Sequence, residues 1–144
     1  MLLNLAFGVF KAELHADLAL KGFDDLGPSF GYVFRMLDGE SLSLGEVAAR
    51  IGISPQGTLK IVNDMVAKRY IQRVGDATDG RVTRLVLSAR GQQALAAAKR
   101  FHTRFEDGLR RRLGARSVLA SRELLEAIVE NQTGGTMDVG LRPF

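Results

Sequence analysis

Along this chain the spacing of apolar residues changes repeatedly, and each change marks a new element. Residues 1–21 place Leu3, Phe7, Phe10, Leu14 and Leu18 at i, i+4, i+7, i+11 and i+15, with Leu2, Val9 and Leu20 widening the stripe. That spacing predicts an amphipathic helix. The run "GFDDLGP" breaks it. Pro28 can then open a second helix in which Phe30, Phe34 and Leu37 share a face, before "DGES" ends it.

The next stretch, "SLGEVAARIGIS", starts with Ser43 and Glu46 in capping-box spacing and puts Val47, Ala48 and Ile51 on one side. Gly52 can take the left-handed conformation that stops a helix. Ser54 follows almost at once as a second N-cap candidate, with Pro55 at the first helical position. A short helix, a tight Gly-containing turn and a newly capped helix make a helix-turn-helix. In the second helix, "PQGTLKIVNDMVAKRY", the positions Leu59, Val62, Val66 and Tyr70 recur with Ile61 and Met65 beside them, and are assigned to the core. Gln56, Gly57, Lys60, Asn63 and Asp64 turn away from it.

Period two takes over afterwards. "YIQRV" and "RVTRLVLS" flank "GDATDG", which predicts a β-hairpin with Thr83, Leu85 and Leu87 alternating against Val82, Arg84 and Val86. Ser88 can cap a long helix from about Ala89 to Leu113, with Leu95, Ala98, Phe101 (or His102), Phe105 and Leu109 on its apolar side. "LGARS" breaks it, Val118, Leu125, Ile128 and Val129 mark a last helix, and residues 132–144 carry no periodicity and read as a tail. The expected fold is mainly α with a small β-hairpin wing. It is a single domain over 1–144, whose winged helix-turn-helix core spans 28–91 between helices at 1–27 and 92–131. Those outer helices are apolar over much of their girth, more than a small core needs, so pairing with a second copy is expected to bury them.

Charge sharpens this picture. The chain carries +4 overall, distributed as −3 over residues 1–53, +4 over 54–91, +6 over 92–122 and −3 over 123–144. A basic middle suits a polyanion, although solvated helix faces give the same sum. A length of 144 residues fits one domain, and the absence of cysteine excludes a disulfide framework and thiol chemistry. The apolar start has no basic n-region and meets Lys11 and Glu13 early, so neither a signal peptide nor a membrane span is expected, which fits a cytoplasmic protein.

The candidate chemistry is nucleic-acid recognition. Gln56, Lys60 and Asn63 supply the donors that read base edges in a major groove, and Gly57 removes bulk where the helix would approach a duplex. Ser54 and Thr58 near the start of that helix, Lys68 and Arg69 at its end and Arg84 on the wing complete the expected contact set. At the wing tip, Asp79 would aim Arg81 into the minor groove while Gly80 permits the turn. Catalysis finds no footing. His15 and His102 are the only histidines, and H-x-x-x-H, G-x-S-x-G, P-loop and G-x-G-x-x-G patterns are absent, so no catalytic residue, metal or cofactor is expected.

From about Pro28 to Gly91 the chain resembles the winged helix-turn-helix core of MarR-type transcription factors. "SFGYVFRML", "LGEVAARIGIS", "LKIVNDMVAKRYIQRV" and the D-x-R wing "DGRVTRLVLSARG" carry the resemblance, and the flanking helices extend it over roughly 1–131. It implies an obligate homodimer on a palindromic operator in double-stranded DNA, usually a repressor, released by a small aromatic or lipophilic effector. Phe10, His15, Phe30 and Phe34 are the candidate effector-binding residues, although a half-buried histidine at a helix interface is the simpler reading of His15. Against the family pattern, Tyr70 is expected where Gly commonly precedes the first wing strand, and Gly57 is unusual on the reading face. The alternative function is a winged-helix protein-interaction module without specific DNA readout.

Overall fold

Ser43 and Ser54 each start a helix by lending a hydroxyl to a free backbone amide. Ser43 Oγ accepts from the Glu46 N–H at 3.2 Å, while the Glu46 carboxylate accepts from the Ser43 N–H at 2.7 Å, closing the capping box. Gly52, at φ 74°, stops this helix in the left-handed conformation. Ser54 Oγ then accepts from the Gly57 N–H at 3.2 Å, with Pro55 at the first helical position. The helix-turn-helix is therefore written in cap chemistry, and the structure follows it.

The computed structural model describes residues 1–76 and 82–133, with 130–133 as backbone only. Its elements run α1 (Leu2–Ala19), α2 (Phe30–Met36), β1 (Leu42–Ser43), α3 (Leu44–Ile51), α4 (Pro55–Ala67), β2 (Ile71–Gly75), β3 (Thr83–Leu87), α5 (Ala89–Leu113) and α6 (Ala115–Thr133). The fold is mostly helical with one small antiparallel sheet, as the sequence predicts, but the hairpin has a third strand. β1 pairs along the free edge of β3, Leu42 opposite Leu85, giving the order β1-β3-β2. Two residues are too few to show an alternation, so nothing in the sequence announces β1.

The core gathers Phe30, Val33, Phe34 and Leu37 against Val47 and Ile51 of α3, Val62 and Met65 of α4, and Tyr70, Ile71, Leu85 and Leu87 around the sheet. Each such side chain contributes roughly 1.5–3 kcal/mol when fully buried. The outer helices are covered far less. Of α1 only Leu18 is buried. Phe10 packs its ring against Phe101, His102 and Phe105 of α5, with centroids 5.6, 5.1 and 5.0 Å away. Gly114 alone (φ 83°) separates α5 from α6, so the expected "LGARS" break shrinks to one residue. α6 then runs to Thr133, past the expected start of the tail. Among the described residues, no helix is long and apolar enough to cross a membrane.

The left-handed position before β2 belongs to Arg69, at φ 61°, while Tyr70 beside it is buried in the core. Among the described residues Arg69 is the only non-glycine at positive φ. An L-residue pays for this conformation and glycine does not. Arg69→Gly should therefore raise the urea midpoint, by about 1 kcal/mol in stability.

Candidate nucleic-acid interface

The two sides of α4 are set by which stripe the core accepts. The sequence offers two, 59/62/66 and 58/62/65, and the structure takes the second. Thr58, Val62 and Met65 are fully buried, while Leu59 is 41% exposed. Thr58 is small enough to point inward because its hydroxyl donates to the Ser54 carbonyl at 3.1 Å, leaving no polar atom unpaired. Thr58 is thus removed from the expected DNA-contacting set, and Leu59 from the expected core. Gly57 also faces elsewhere than expected. A Cβ there would lie 3.3 Å from Ser54 Oγ and 3.6 Å from Ile53 Cδ1, so the missing side chain spares the cap turn, not the outer face.

What remains outward on α4 is Gln56, Leu59, Lys60 and Asn63, with Ala67 at its end, all exposed, and Ser54 and Pro55 exposed at the helix start. Asn63 is not isolated. Arg73 of β2 donates from its guanidinium to Asn63 Oδ1 at 2.6 Å, so the wing strand meets the outer face of α4. Sequence reasoning passed over Arg73; its only signal is a cation on the exposed side of the strand that follows α4.

Other expected contacts are engaged within the fold. Arg84 is held between two carboxylates, its Nε donating to Asp76 at 2.7 Å and its Nη1 to Glu46 at 2.8 Å. Hydrogen bonding to Asp76 is the chief cause of its raised pKa, followed, net of desolvation, by Glu46. Glu46 in turn sits below the usual carboxylate range, first through the Ser43 backbone N–H and then through the Ser43 side chain, with Arg84 and Arg50 adding attraction. Arg84 therefore braces the wing base against the start of α3, and its charge is offset where a free phosphate contact was expected. Lys68 pairs with Asp64 at 3.0 Å and lies 5.2 Å from the centroid of the Phe30 ring. Arg69 stays exposed. Asp79 and Arg81, the expected wing tip, lie outside the described residues.

The expected effector set divides into separate groups. Phe30 and Phe34 are core residues, their rings 5.7 and 5.5 Å from Tyr70. Phe10 belongs to the α1–α5 aromatic cluster instead. His15, also on α1, has its pKa lowered first by burial and then by Lys11. Two cavities of about 310 Å³ each lie elsewhere, one between Leu37–Glu40, the end of β3 and α5, the other between α5 and α6. None of the four residues lines either. Apolar aromatics at helical spacing serve a core and a pocket equally well, so spacing alone does not separate the two groups.

With this geometry established, the relatives are informative. Residues 26–82 match the model of the MarR family. The exopolysaccharide II synthesis transcriptional activator ExpG of Rhizobium meliloti is 27% identical over 100 residues, covering 69% of this chain and 52% of that protein. The chain thus spans about half the length of this curated relative. The fold is shared with Streptococcus pneumoniae FabT, solved in complex with DNA, at TM-score 0.75 and 18% identity, with 94% of each chain covered. It is also shared with a mutant MarR from E. coli complexed with operator DNA, at TM-score 0.67 and 15% identity, covering 89% of this chain and 91% of that one. The α3–α4 helix-turn-helix thus lies within the stretch that matches the MarR family, and the fold around it is similar to that of both solved structures.

Proposed function

We propose that this protein is a sequence-specific, dimeric DNA-binding regulator of transcription that acts in the cytoplasm on a palindromic operator. The observation that carries this reading is the outer face of α4. Gln56, Lys60 and Asn63 stand exposed, directly behind a capped turn, on the helix that such folds lay in a major groove. The described relatives solved with DNA, FabT and MarR, support the same partner.

Dimerisation is the second part of the proposal. α1 leaves Leu2, Leu3, Leu5, Phe7 and Val9 exposed, and α6 leaves Leu119, Leu124, Leu125 and Ile128 exposed. Apolar faces of this extent call for a partner, and a second copy related by a two-fold axis would set two α4 helices roughly 34 Å apart, one DNA turn. The helices at 1–27 and 92–131 thus act as the dimerisation region around the 28–91 core. We assign repression as the regulatory sense, with release by a small aromatic or lipophilic effector that stabilises wrongly spaced reading helices. The α1–α5 aromatic cluster around Phe10 is the part of the expected effector set that lies outside the core.

A titration of the full chain against its own upstream DNA, repeated over a range of salt, tests the reading. Affinity should fall linearly with salt on a log–log scale. Lys60→Ala should cost about 1–3 kcal/mol and relax the preference at one base pair. Equal binding to upstream and scrambled duplexes at physiological salt would overturn it and leave the protein-interaction module standing.

A further inference from the structure

Resting on the DNA-reading role proposed above, we propose that Leu59 and the Arg73–Asn63 pair make α4 a reader of thymine, Leu59 covering its C5 methyl and Asn63 donating to its O4. Leu59 and Asn63 are four residues apart, so they sit one above the other on the outer stripe of α4. Leu59 is the one large apolar residue there, 41% exposed, with the donors Gln56, Lys60 and Asn63 around it.

Asparagine on a reading helix ordinarily pairs with adenine through both amide atoms, Oδ1 accepting from N6 and Nδ2 donating to N7. Here Arg73 alters that arrangement. A guanidinium has donors and no acceptor, so the amide atom facing it at 2.6 Å is the oxygen, whichever way the amide is drawn. With Oδ1 turned to β2, Nδ2 is the atom left for a base, and a lone donor suits acceptors: thymine O4, adenine N7, or guanine O6 and N7. Only thymine places a methyl beside its acceptor, and only a methyl gives Leu59 an apolar partner. Asn63 asks for an acceptor, and Leu59 singles out thymine among the bases that offer one. Arg73 acts as a positioning residue: it sets which amide atom reaches the base.

Selection of bound duplexes from a random library, with the full chain, would yield the half-site. Each thymine in it is then replaced by deoxyuridine, which removes only the methyl, and affinities are read by fluorescence anisotropy. At one thymine the replacement should weaken the unaltered protein about fourfold, the loss expected for one buried methyl. Leu59→Ala should bind the thymine and deoxyuridine duplexes alike. Repeating the selection with Arg73→Ala should admit adenine beside that thymine, where Arg73→Lys, still a donor, should keep it out. If no half-site emerges, the DNA-reading function falls and this inference with it. If a half-site emerges but no thymine shows a methyl effect that depends on Leu59, or if Arg73→Ala selects an unchanged half-site, the thymine code is overturned while the regulator reading stands.

Discussion

Gly91→Ala should unfold or severely loosen this protein, although the substitution adds one methyl to a helix. Gly91 lies in the first turn of α5 against the backbone of Tyr70, where a Cβ would come 2.0 Å from the Tyr70 carbonyl oxygen and 3.0 Å from its carbon. A side chain could rotate away; this neighbour is backbone. It is also already committed, because the Tyr70 carbonyl accepts from the Ser88 N–H at 3.0 Å and from Ser88 Oγ at 3.0 Å. Relief requires α5 to move off the α4–β2 junction, breaking the Ser88 cap and the start of β2 together. Overpacking of this kind, with lost backbone hydrogen bonds, should cost about 3 kcal/mol or more in urea denaturation. Gly108 provides the control within the same helix. A Cβ there meets only the far end of the Arg111 side chain at 3.9 Å, so Gly108→Ala should stabilise by about 1 kcal/mol through helix propensity. The same substitution in one helix should thus carry opposite signs, and equal effects would refute the close approach at Gly91.

How much of this was legible in the sequence depends on whether the signal is local. Caps are local: Ser43, Gly52, Ser54 and Ser88 each act on amides within a few residues, and each does what its spacing predicts. The face of α4 is not, since Thr58 and Leu59 both fit a helical stripe. The choice was made by the Ser54 carbonyl, which gives the Thr58 hydroxyl a partner inside. Arg73 and Arg84 show the same limit for the site. Their partners, Asn63, Asp76 and Glu46, lie across the fold and not along an element, and no periodicity encodes them. Arg84 looked like a free cation because Glu46, 38 residues earlier, is invisible to any local window. The aromatic residues divide between the core and the α1–α5 cluster for a related reason, because spacing reports that a face is apolar but not which neighbour covers it.

Asp25→Ala should cost about 1.5–3 kcal/mol, the range for hydrogen bonds to a charged group, and should do so through Tyr70 and Arg90. The Tyr70 hydroxyl donates to Asp25, and Arg90 donates to the same carboxylate oxygen at 2.9 Å. Arg90 also reaches the Lys68 carbonyl at 3.2 Å and the Gly22 carbonyl at 3.3 Å, with its guanidinium 4.5 Å from the centre of the Tyr70 ring. One carboxylate therefore ties the α1–α2 connection to the end of α4 and the start of α5. Burial, and after it Asp25, pushes the Tyr70 phenol from 10.0 up to about 12. Because the folded pKa is raised, the folded state keeps the proton longer than the unfolded chain does. The associated stability is complete below pH 10 and drains as pH rises towards 12. Tyr70→Phe has no such proton, so the stability difference between it and the unaltered protein should shrink across that window, by about 2 kcal/mol. Asp25→Asn should narrow the window by removing the charge that helps raise the phenol. Urea midpoints for the three proteins between pH 9 and 12 measure this, and a constant gap between Tyr70→Phe and the parent would show that the Tyr70–Asp25 contact does not anchor the end of α4.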